Sequence, residues 1–128
     1  MGNQVTNIGG VLSAVTNTVA FSDSSAVTIG TIPANAQIVN IHIDVTTAFN
    51  AGTTNNMTVG KSGSAAAFVA ATGVGSAGRA SVATTGVYSA WADVGSAEVP
   101  VTATYAQTGT AATAGAARVT VVYRSPAP

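Results

Sequence analysis

The sequence predicts an all-β domain, a jelly roll or related antiparallel β-sandwich of about eight strands. Three observations point there. Apolar and polar residues alternate at a period of two over most of the chain. Strand-like segments recur at intervals of roughly 10 to 15 residues, separated by Gly, Ser, Asn and Pro. No stretch of useful length carries the 3.6-residue period of an amphipathic helix.

Taken in order, residues 1–14 alternate weakly and are assigned to an N-terminal arm, ahead of a single domain over 15–124. Val15–Phe21 turns Val15, Val19 and Phe21 inward, with Asn17 the odd member. Ala26–Ile32 follows a Ser-rich turn. At Ile32–Pro33–Ala34–Asn35–Ala36 the chain turns again: Pro fixes φ, and Asn tolerates the left-handed backbone. Gln37–Phe49 is the clearest strand. It sets Val39, Ile41, Ile43, Val45, Thr47 and Phe49 on one face and Asn40, His42, Asp44 and Thr46 on the other, with Ile38 as the exception.

Asn50–Asn56 reads as a loop, and Met57–Lys61 and Ala65–Ala71 as a hairpin around Ser62–Gly63–Ser64. Gly86–Asp93, carrying Tyr88 and Trp91, is taken as a strand. Glu98–Gln107 aligns Val99, Val101, Ala103 and Tyr105, and Ala116–Arg124 aligns Ala117, Val119, Val121 and Tyr123. The end, residues 125–128, is Ser125–Pro126–Ala127–Pro128, which cannot continue a strand and is assigned to a short tail.

Composition narrows the function. The 128 residues are 47% hydrophobic but only 5% aromatic, a poor stock for the walls of a ligand pocket. Charged residues make up 6%, four basic against four acidic, where about 25% is ordinary. Near-zero charge favours association, so the chain is expected to work packed against copies of itself or a partner. Phosphate neutralisation needs clustered Lys and Arg, and Arg79, Arg118 and Arg124 are scattered, so no direct nucleic-acid partner is expected. The absence of Cys excludes a thiolate zinc site. Neither a membrane span nor a secretory signal is visible.

Motifs of chemistry fare badly. Gly73–Val74–Gly75–Ser76–Ala77–Gly78 spells G-x-G-x-x-G, but no helix pattern follows to present its N-terminus to a pyrophosphate, so it reads as a Gly/Ala loop. Met1–Thr6 spells a myristoylation consensus and Asn56–Met57–Thr58 a glycosylation sequon, both short patterns without supporting context. His42 shares a strand face with Asp44, two residues and about 7 Å away. Only Asp23, Asp93 and Glu98 remain as further acids, and no Ser sits in a nucleophile elbow. The sequence therefore predicts no catalytic residues, no metal site, no cofactor and no enzyme activity.

Partner contacts are assigned by residue type to Tyr88, Trp91, Arg79, Tyr123 and Arg124, since aromatics and Arg are enriched where interfaces bind. Tyr88 and Trp91, three apart on a strand, fall on opposite faces, one in the core and one exposed.

The segment Ile32–Pro33–Ala34–Asn35–Ala36–Gln37–Ile38–Val39, continuing through Ile41–Thr47 and on to Met57–Lys61, resembles small structural proteins of tailed bacteriophages. Over residues 15–124 the chain resembles the capsid cement, or decoration, proteins of short-tailed phages. The resemblance implies a jelly roll bound as a dimer or trimer to the major capsid protein, on the outer capsid surface of the virion. There it would brace the shell against internal pressure. The alternative is a recognition module of a phage tail or fibre, binding a host-surface glycan or protein through Trp91 or Tyr88.

Overall fold

The computed structural model describes residues 12–125. Eight strands and one helical turn follow one another: β1 (Leu12–Ala20), β2 (Val27–Ile32), β3 (Gln37–Thr47), β4 (Thr54–Lys61), β5 (Ser64–Gly73), β6 (Gly78–Ala80), α1 (Tyr88–Trp91), β7 (Val99–Thr108) and β8 (Ala116–Arg124). They form two four-stranded antiparallel sheets, ordered β1-β8-β3-β6 and β2-β7-β4-β5.

That order has a simple origin. β4 and β5 make a hairpin, and outward from it β3 meets β6, β2 meets β7 and β1 meets β8. The chain is thus one long hairpin whose successive pairs fall alternately into the two sheets. Rolling it brings β8 beside β3 and β7 beside β4, which is the jelly-roll winding. The sandwich read from the sequence is the fold observed.

Alternation places the core. From the first sheet Val19, Ile41, Ile43, Val119 and Val121 point inward; from the second come Ile32, Met57, Val59 and Val101, each at most 1% exposed. Burying one such Val, Ile or Met contributes about 1.5–3 kcal/mol relative to leaving it in water. Phe49, just past β3, packs its ring 4.4 Å from Tyr105 on β7, tying the two sheets together at one end. Tyr105 donates its hydroxyl to Asn55 Oδ1 at 2.6 Å, and burial pushes its phenol pKa up.

Three sequence expectations are corrected. Val39 is 42% exposed, whereas Ile38 is buried, because the β3–β8 register slips between Ile38 and Asn40. A bulge adds one residue to one strand, and alternation restarts beyond it with the opposite parity. Ile38, the exception to the alternation, marks that bulge. Gly86–Asp93 is not a strand: it holds an isolated bridge from Gly86 to Val69 and then the turn α1. The eighth strand is instead β6, three residues long and unread in the sequence. Finally, residues 12–14 of the assigned arm are strand, part of β1, while residues 1–11 lie outside the described residues.

The turn signals hold. Asn35 has φ 60°, and the Ala36 N–H closes on the Pro33 carbonyl at 3.2 Å. The β4–β5 hairpin turns through Ser62 and Gly63, with Gly63 at φ 82°.

Sheet edges are managed unequally. β6 is too short to offer a ladder, and its Arg79 adds a charge. β5 is covered over its middle: Ala70 N–H bonds the Thr85 carbonyl, and Val87 N–H and Trp91 Nε1–H both bond the Phe68 carbonyl, all at 2.8 Å. β2 lies close against β1, where a Cβ at Gly30 would overlap the Val15 side chain. Among the described residues β1 itself is the longest open edge of the first sheet.

Candidate binding surface

The outward face of the first sheet collects half of the charged residues and three of the four cations. Residues pointing away from the core alternate along β8 as Arg118, Thr120, Val122 and Arg124, and along β3 as Asn40, His42, Asp44 and Thr46. Strand register then sets Asp44 between two cations. It pairs with Arg118 on β8 and with Arg79 on β6. The Arg79 guanidinium donates to both Asp44 oxygens, at 2.7 and 3.3 Å. Three of the four basic residues thus share this face with one acid, while Lys61 lies on β4 and Asp23, Asp93 and Glu98 lie in connecting segments. The neutral total conceals a face with an excess of positive charge.

The hydrogen bond from Arg79 holds the Asp44 carboxyl below the usual carboxylate range. Desolvation opposes it, and the charges of Arg79, His42 and Arg118 assist. A depressed folded-state pKa stabilises the fold above the unfolded value of about 3.9, and that contribution disappears as pH falls through the folded one. The pair is exposed, so its effect on global stability is small. Following the Asp44 carboxyl by NMR should show titration below the ordinary range, and Arg79→Gln should move it upward. An unshifted carboxyl in the parent protein would contradict the bonded geometry.

At one end of this face the bulge at Val39 opens an open cleft of about 350 Å³. Gln37, Ile38, Val39, Tyr88, Trp91 and Arg124 line it. Arg124 reaches the Gln37 side chain at 3.4 Å. Tyr88 stands 52% exposed, its hydroxyl donating to the Val82 carbonyl at 3.1 Å, and Trp91 meets its ring edge-on at 4.6 Å.

The five residues assigned as partner contacts therefore separate. Tyr88 and Arg124 meet at the cleft, and Arg79 stands out on the same sheet, paired with Asp44. Trp91 is 6% exposed and forms the floor of the cleft rather than a free surface. Tyr123, opposite Ser13 and Ile38, is half-buried against the core. One aromatic is exposed and one buried, as expected, but the two sit on a helical turn rather than on opposite faces of a strand.

Sequence reasoning missed Val39 and Leu12, which together with Tyr88 are the large exposed apolar side chains among the described residues. It also missed the ordering of the loops. Asn50 accepts from Thr113 and Ala114 N–H groups at 2.8 and 3.0 Å, and Asn55 holds Ala51 through both its amide atoms. Among the described residues no cluster of three His, Asp or Glu side chains is placed to hold a metal. No helix there is long and apolar enough to cross a membrane. The G-x-G-x-x-G segment is a connection between β5 and β6 with Val74 fully buried, and no helix follows it to face a phosphate.

No protein-family model matches the chain, and no curated protein matches it either. Among solved structures it is similar to a chain in the cyanophage Pam1 capsid asymmetric unit. That match is 21% identical and covers 98% of this chain and 93% of that chain, with a TM-score of 0.69. At this identity the likeness is one of fold.

Proposed function

We propose that this chain is a non-enzymatic virion structural protein: a homo-oligomeric cement that binds the major capsid protein on the outer surface of a phage shell. The observation that carries the reading is the end-to-end fold likeness to a chain of a phage capsid asymmetric unit. The low charge supports it too, since a surface of Thr, Ser, Ala and Gly packs against neighbours without stranding ions. The outward face of the first sheet, with Arg79, Arg118, Arg124 and the Tyr88 cleft, is the surface offered to the shell. Its cations are placed to steer the approach to an acidic patch.

Purified protein mixed with shells assembled without it should pellet with them saturably, at a fixed ratio to the major capsid protein. That ratio would identify the symmetry position occupied. Absence of pelleting, with the protein recovered from tail fractions, would overturn the cement reading in favour of a tail or fibre module.

A further inference from the structure

On its C-terminal side the open edge of β1 has a definite limit, set by side chains. Phe21 N–H donates to the Gly115 carbonyl at 3.0 Å, extending the register Val19↔Ala117 by one more hydrogen-bonded pair. In an antiparallel ladder bonded and non-bonded pairs alternate, so the odd-numbered residues of β1 bond β8. The N–H and C=O groups of Leu12, Ala14, Thr16, Thr18 and Ala20 face away from it. Two of these are capped within the chain. Thr18 N–H takes Asn17 Oδ1 at 2.8 Å, and Ala20 N–H takes Asp23 Oδ2 at 2.7 Å, while the Ala20 carbonyl accepts from Asp23 N–H. Among the described residues β1 pairs with β8 alone, which leaves Leu12–Thr16 open.

We propose that Leu12–Thr16 is a homodimer edge, at which β1 of a second copy pairs antiparallel about a two-fold axis at Ala14. This deepens the homo-oligomeric part of the reading above. The open stretch is self-complementary in that register. Ala14 meets Ala14 of the second copy, and Leu12 and Thr16 exchange places. All three pairs are of the bonded type and supply six backbone hydrogen bonds. No charged side chain stands on β1 to repel a like copy, although charge is the usual guard of an edge. Leu12, 53% exposed, comes to lie beside Thr16 of the second copy. Beyond Thr18 the side-chain cap ends the ladder. A pairing this short buries less than the roughly 800 Å² per partner of a standard interface, so the contact belongs to the weak class and is strengthened where copies are held at high density.

The chain contains no Cys, which makes single-cysteine variants clean probes. Across the axis Ala14→Cys sets two Cα atoms about 5.5 Å apart, within disulfide range. Thr16→Cys sets its two copies roughly 14 Å apart, beyond it. With isolated protein and diamide as oxidant, Ala14→Cys should form covalent dimer at least about tenfold faster than Thr16→Cys. Combining Leu12→Cys with Thr16→Cys should restore fast cross-linking. Equal rates for the two single variants would overturn the proposal, and so would a Leu12→Cys/Thr16→Cys double variant that cross-links no faster than Thr16→Cys alone. Because the assay needs no shells, its failure is distinct from failure to bind the capsid.

Discussion

Trp91→Ala is expected to lower folding stability by about 3–5 kcal/mol, and Trp91→Phe by only about 1–2. The reason lies in how little else holds α1 in place. Four residues are far below the length at which a helix persists alone, and no side chain caps its start. Trp91 anchors it twice, by burying its ring to 6% exposure and by donating Nε1–H to the Phe68 carbonyl. Phenylalanine keeps most of the packing. The lost hydrogen bond leaves no orphan, because Phe68 also accepts from Val87 N–H. Alanine leaves a cavity and loosens the segment that covers β5, so aggregation should accompany the loss of stability. Urea unfolding midpoints of the two variants check this, and equal losses would show that the hydrogen bond, not the packing, holds the turn.

Gly60→Ala should be nearly as damaging, through the opposite defect. A methyl group at Gly60 would overlap the Ser64 carbonyl oxygen and the Ala65 backbone across the β4–β5 hairpin. These are main-chain atoms, and no flexible side-chain end can swing aside. Gly60 also pairs with Thr102 on β7, so β4 is held from its other side as well. Overpacking of this kind costs about 1–3 kcal/mol, and here the upper end is expected. The same substitution at Gly73, where an added methyl meets nothing, should be nearly silent. A stability of Gly60→Ala equal to the parent would mean that the hairpin register differs from the one described.

These two sites also show what a sequence can reveal. Val99, Val101, Ala103 and Tyr105, or Ala117, Val119 and Val121, declare their strands because burial on one face imposes a period of two. The bulge at Val39 adds one residue and breaks that period, so it appeared only as an Ile38 out of step. β6 is too short to show any period. Tyr88 and Trp91 favour strands by residue type. A tertiary hydrogen bond to β5 decided otherwise. The ion pair of Asp44 with Arg79, and its place opposite Arg118, were hidden for another reason. Strands far apart in sequence bring them together, and register across three strands is not encoded locally. Tyr88 and Arg124 could be named by type, but their meeting at one cleft could not.

Because β1 pairs with β8, the first and last strands of the sandwich wait for each other. Thr16 and Thr120, whose hydroxyls share a 3.0 Å hydrogen bond, are 104 residues apart in the chain. At ribosomal rates of about 5–20 residues per second, β1 exists for roughly 5–20 seconds before its only strand partner among the described residues is made. No half of a rolled hairpin can close early, so folding is late, slow and nearly all-or-none. Until β8 is made, β1 has no strand partner among the described residues, and no charge on the strand keeps neighbouring nascent chains apart. Yield of native protein should therefore depend more on how crowded the nascent chains are than on the stability of the finished fold.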